Sequence, residues 1–177
     1  GKRALLLGGN AKLTLGNPLS TKENLLIIDG NKDNMQVAVK GSVIFIGYSS
    51  SAHLYTNVTV QNCHKIDNER TYDESHLLSR PNRIGGAMAI VASGSLNIYG
   101  GNYRNNSINE EDASSEETRN CTIGGLIYNN SNVHIHGGLF ENNQGARGGV
   151  IYSYRIVKID GGSFIGNIAT ISGGVLY

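Results

Sequence analysis

The sequence predicts an all-β fold, a parallel β-helix (β-solenoid) of about six or seven coils, and three observations carry the prediction. A Gly pair followed by apolar residues recurs as GGAMA from Gly85, GGLIY from Gly124, GGVIY from Gly148 and GGVLY from Gly173, the last three about 24 residues apart. Repeats of that length mark solenoids and arrays. Between the Gly pairs, apolar residues alternate or run for only a few positions, as in NVHIH and RIVKI, which suits strands and is too short for helices. Glycine is abundant (24 of 177 residues) and proline scarce (2), so glycine serves tight corners, not a collagen-like or linker sequence.

From the N-terminus, ALLLGGNAKLTL, NLLIIDGN, MQVAVKGSVIFIGY and HLYTNVTVQNC read as alternating strands of early, degenerate coils. Residues 64–84 are polar, lack strand periodicity and read as a loop insertion. The coil opened by Gly85 and Gly86 carries Tyr103 and Asn106 in NIYGGNYRNN, and the acidic segment 107–123 reads as a second insertion. Both insertions fall at the same phase of the unit, so both project from one corner, the usual place for a binding face. The next two units carry Gly124, Gly125, Phe140 and Asn143, then Gly148, Gly149, Phe164 and Asn167; Gly173 and Gly174 open another. Residues 1–177 therefore form a single domain. With no initiator Met and a unit cut soon after it opens, the chain is expected to be a fragment or subunit of a longer or assembled solenoid, with partners that are further coils of the same chain or copies stacked end to end.

Equal slots invite equal roles. Asn106, Asn143 and Asn167 read as a hydrogen-bonded ladder or as left-handed turn residues. Tyr103, Phe140 and Phe164 are expected to stack, and Tyr128, Tyr152 and Tyr177 form a row that either packs on itself or grips sugar rings.

Lys plus Arg (15) nearly balances Asp plus Glu (14), which removes the basic field that nucleic acid requires. No apolar run approaches the length of a bilayer span, so no membrane insertion is expected in this segment. His134 and His136 share a strand face with Asn97, Tyr99, Lys158 and Asp160. A His-x-His pair can chelate zinc with Asp160 as a third ligand, but without a fourth the face reads as an ordinary solvated one, and no metal or cofactor is expected. The strand-borne acids Asp29 and Asp160 lie far apart, whereas glycosidic hydrolysis needs two carboxylates close together. With no phosphate loop or nucleophile elbow either, no catalytic residue is assigned and the chain is not read as an enzyme.

Cys63 opens the first insertion and Cys121 closes the second. Both belong to the same corner, so a disulfide between them is feasible and implies an oxidising compartment; two free, buried thiols are the alternative. Sequons stand at Asn57, Asn105, Asn120 and Asn129, which makes covalent N-glycans partners of this chain in a eukaryotic source.

With GGLIY and GGVIY joined to FENN and FIGN, residues 85–177 resemble the polymorphic outer membrane protein repeat family of chlamydial type, whose signature couples GGA[ILV] to Phe-x-x-Asn and which has similar repeats in protist surface proteins. The unit at Gly85 departs from the pattern with Tyr103 and Ala89. The resemblance implies a right-handed coil carried at the cell surface or outside the cell, structural or adhesive, facing a host or cell-surface ligand and without catalysis. The rival readings are a glycan-binding β-helix and a polysaccharide lyase- or hydrolase-like β-helix.

Overall fold

The computed structural model describes residues 5–23, 25–30, 43–66, 87–90, 94–109 and 123–177, and every regular element among them is a β-strand. The expectations placed on MQVAV, Gly85, Gly86, Asn120, Cys121 and the bulk of both insertions lie outside the described residues.

The strands come in rounds. The first holds β1 (Leu5–Leu7), β2 (Lys12–Leu15) and β3 (Leu26–Asp29); the second β4 (Ile44–Ile46), β5 (Ser51–Leu54), β6 (Val58–Gln61) and β7 (His64–Ile66). The third holds β8 (Met88–Ile90), β9 (Ser95–Ile98), β10 (Asn102–Arg104) and β11 (Ser107–Asn109); the fourth β12 (Ile127–Asn129), β13 (Asn132–Ile135), β14 (Leu139–Glu141) and β15 (Gln144–Arg147). The fifth holds β16 (Ile151–Ser153), β17 (Ile156–Ile159), β18 (Ser163–Ile165) and β19 (Ile168–Ser172).

Each strand pairs in parallel with its counterpart one round away, which generates four sheets: β1-β4-β8-β12-β16, β2-β5-β9-β13-β17, β3-β6-β10-β14-β18 and β7-β11-β15-β19. The chain visits them in that cyclic order in the second to fifth rounds, and the first round supplies the first three sheets among the described residues. Strand alternation then sorts the side chains: in β5 and β9 every second residue is buried, and Leu15, Leu54, Ile98 and Ile135 form one inward column in register. Ile44, Met88, Ile127 and Ile151 form a second, and Val60, Tyr103 and Phe140 a third. These columns meet in one hydrophobic core.

Equivalent positions stand 24 residues apart between Asn143 and Asn167, 37 between Asn106 and Asn143, and 43 between Cys63 and Asn106. The short period holds only at the end of the chain, where no long polar segment falls in the sequence between successive paired strands. Among the described residues the named strands fill five rounds, and the bridge between Ile151 and Leu176 opens a sixth. His64–Ile66 and Ser107–Asn109, counted with the insertions on sequence, are strands: β7 pairs β11 in register, so both polar segments leave from neighbouring strands of the fourth sheet. Their three-residue length and polar content hid them from a periodicity test.

The first Gly pair has two distinct causes. Gly124, Gly148 and Gly173 adopt φ of 73, 66 and 70°, where L side chains are strained. At Gly125 and Gly149 the obstacle is the next round, whose carbonyl oxygens at Gly149 and Gly174 occupy the space a Cβ needs.

Candidate functional site

Three columns of side chains run along the rounds. The inner one starts from a left-handed corner: Asn62, Asn105, Asn142 and Gly166 have φ of 53, 56, 54 and 61°, and each turns the chain from the third sheet to the fourth. The residue after each corner is Cys63, Asn106, Asn143 and Asn167. Oδ1 of Asn106 accepts from the Cys63 amide at 3.1 Å, Oδ1 of Asn143 from the Asn106 amide at 3.1 Å, and Oδ1 of Asn167 from the Asn143 amide at 3.0 Å. Side chains link in the same sense, Asn106 Nδ2 donating to Asn143 Oδ1 at 2.9 Å and Asn143 Nδ2 to Asn167 Oδ1 at 3.0 Å. Nδ2 of Asn106, Asn143 and Asn167 also reaches the carbonyls of Val60, Tyr103 and Phe140 in the preceding round. The ladder and the left-handed turn are therefore both present, on adjacent residues. Beside it Tyr103, Phe140 and Phe164 stack with ring centroids 5.0 and 4.7 Å apart. The buried Tyr103 hydroxyl donates to Gly100 O at 3.0 Å, and burial raises its pKa.

Cys63 occupies the Asn slot of the second round. Its thiol is free among the described residues and buried; burial, and secondarily the Asp29 charge, push its pKa up to about 12.

The second column lies outside the first sheet. Tyr128 and Tyr152 stack in near-parallel planes with centroids 6.2 Å apart, and Tyr177 continues the row at 5.4 Å. Tyr154 covers Tyr128 and Tyr152 edge-on, and Ile123 and Phe45 complete the cluster. Only 8% and 9% of Tyr128 and Tyr152 remain exposed, so these two rings are packed within the row, while Tyr177 at its end is 50% exposed. Burial pushes the Tyr128 hydroxyl up to about 12 and raises that of Tyr152 as well.

The sequons divide by environment. Asn57 is buried, its Nδ2 donating to Asn17 O at 2.8 Å and its Oδ1 accepting from the Asn17 amide. Asn129 is buried too, with Nδ2 donating to Ser153 Oγ at 2.9 Å and Ile156 O at 3.1 Å. Neither amide has room for a glycan in this fold. Asn105 stands at a left-handed corner, half-buried, and Asn120 lies outside the described residues.

The third column is the outer face of the second sheet. Register places His53, Asn97, His134 and Lys158 in one slot. The residues after β5, β9, β13 and β17 supply a second: Tyr55, Tyr99, His136 and Asp160. Tyr99 stacks between Tyr55 at 4.9 Å and His136 at 4.8 Å, and its hydroxyl lies 3.3 Å from His53 Nδ1. His134 Nε2 lies 2.6 Å from Asp160 Oδ2, His136 Nδ1 3.9 Å and Lys158 Nζ 3.1 Å from the same oxygen. The hydrogen bond from His134, followed by that from Lys158, lowers the Asp160 pKa. His53 and Tyr55 were missed on sequence, although laying HLYTN over NIYGG and HIHGG would have aligned them.

Asp29 accepts from Gln61 Nε2 at 2.6 Å and from Asn62 Nδ2 at 3.1 Å in the first two rounds, whereas Asp160 follows β17 in the fifth. The two carboxylates stand on different sheets with whole rounds between them. No family model matches the chain, and neither characterised proteins nor solved structures give a significant match.

Proposed function

We propose that the chain is a right-handed parallel β-helix working outside the cell or at its surface as a structural and adhesive rod, displaying its two polar segments along one corner and stacking end to end. The observation that carries this reading is the invariant cyclic order of the four parallel sheets, with identical letters in register from round to round. Right-handed connection between parallel strands is the general rule, and the repeat phrases resemble those of surface proteins. A rod of this kind needs no catalytic centre.

Stacking is favoured by the two outermost rounds. Leu13, Leu26 and Ile28 in the first and Val157 and Phe164 in the fifth point into the core yet are only partly covered. Ile159, in register with the fully buried Ile135, is 40% exposed. The fifth round also carries Ile156, Ile165 and Ile168 on its exterior, where the fourth has Asn132, Glu141 and Gln144. Apolar columns left open at edge strands favour continuation, by further coils of the same chain or by a second copy stacked on them.

Sedimentation velocity over a range of concentrations, with electron microscopy, tests the proposal. The chain is expected to grow into linear oligomers, and Ile159→Lys, an inward charge at the open edge, is expected to keep it single. Single particles at every concentration, or equal growth by the variant, would contradict stacking.

A further inference from the structure

We propose that His134, His136 and Asp160 form a binding site for a transition-metal dication, Zn²⁺ in the first place, that staples the fourth and fifth rounds together. The two histidines stand two residues apart at the end of β13, so strand alternation turns both imidazoles outward on one face. Parallel register with β17 then brings Asp160 from the next round level with His136. One ligand atom from each of the three residues falls within 4.8 Å of the others. Zinc bonds of about 2.0–2.2 Å to imidazole nitrogen and carboxylate oxygen set two ligands of one tetrahedral ion about 3.3 Å apart. The observed separations of 2.6 and 3.9 Å from Asp160 Oδ2 to the two imidazoles bracket that value, so small side-chain rotations suffice.

Three further features favour a metal over a merely solvated face. Tyr99 stacks on His136 with centroids 4.8 Å apart, which restrains its ring plane. The ligands stand on or beside sheet strands, which fix geometry better than loops. Three protein donors leave coordination positions for water, so a fourth protein ligand is not required. Lys158 shares Asp160 Oδ2, but its side chain is 62% exposed and swings clear easily; an exposed pair of this kind contributes little. Two imidazoles and one carboxylate suit Zn²⁺, Ni²⁺ or Cu²⁺, whereas Ca²⁺ and Mg²⁺ need oxygen ligands. The site depends only on the pairing of β13 with β17, not on the rod reading.

Titration calorimetry and thermal melts with zinc test it on the full chain, with magnesium as control. Wild type is expected to bind zinc saturably and melt higher in its presence, with no response to magnesium. Loss of an outer partner costs about 10- to 100-fold in metal affinity, so His134→Ala, His136→Ala and Asp160→Asn should each lose at least tenfold, together with the gain in melting temperature. Lys158→Ala removes a competitor and should bind at least as tightly as wild type. Far-UV circular dichroism verifies that each variant is folded; all the changes lie on the outer face, and Asp160→Asn keeps side-chain shape. No saturable zinc binding by wild type, or equal isotherms across wild type and the three ligand variants, overturns the site.

Discussion

A single asparagine in the inner column does the work of a backbone unit. Asn143, itself fully buried, accepts two hydrogen bonds from Asn106 and donates to Tyr103 O and to the partly buried Asn167 Oδ1. Asn143→Ala leaves buried groups without partners on both sides and should destabilise the chain by about 1–3 kcal/mol or more, read from urea unfolding. Asn142→Gly next to it, at φ 54°, should be neutral within a few tenths of a kcal/mol, since glycine adopts that conformation freely. Buried hydroxyls and thiols set a pH limit. Cys63 is raised from 9.0 to about 12 and Tyr128 from 10.0 to about 12, so both stay protonated in the fold while the unfolded chain ionises. The stability they contribute is fully present below about pH 9 and declines as pH climbs towards 12, by about 1.4 kcal/mol per pH unit for each ionising group. The urea midpoint should fall above pH 9, and Cys63→Ala should delay that fall to about pH 10.

At the level of the strand, stability follows position within a column. Phe140 is sandwiched between Tyr103 and Phe164, while Phe164, among the described residues, stacks on Phe140 alone and is half-buried. Phe140→Ala should cost about 3–5 kcal/mol, and Phe164→Ala distinctly less, by chemical denaturation. Much of this was legible in the letters: GGLIY and GGVIY, and FENN and FIGN, sit side by side because each slot imposes the same demand in every round. Gly148 needs a positive φ, Gly149 must let a carbonyl approach, and Asn143 must bridge two rounds. Where the demand is weaker the letters drift, which is why Cys63 in an asparagine slot and Ala89 in a tyrosine slot blurred the earlier units. The strands β7 and β11 escaped notice because three residues, two of them polar in each, are too few to show a period. The convergence of His134, His136 and Asp160 was half visible: alternation put them on one face, but the carboxylate's approach depends on register and rotamer, which the sequence does not spell out.

On the scale of the whole molecule, each round touches only its neighbours, so stability accumulates as a sum of nearest-neighbour terms. Core and outer columns alike depend on strands unequally spaced in sequence lying in equal register. Engineered disulfides test that most directly. Arg104 pairs with Glu141, and Glu141 with Ile165, across different sequence intervals and on the same outer face. In a background with Cys63 and Cys121 changed to Ser, Arg104→Cys with Glu141→Cys and Glu141→Cys with Ile165→Cys should both oxidise readily to an intramolecular bond, mapped by mass spectrometry. Glu141→Cys with Ile159→Cys, out of register, should not. Failure of both in-register pairs, or equal oxidation of the out-of-register pair, would contradict the winding of the chain from round to round.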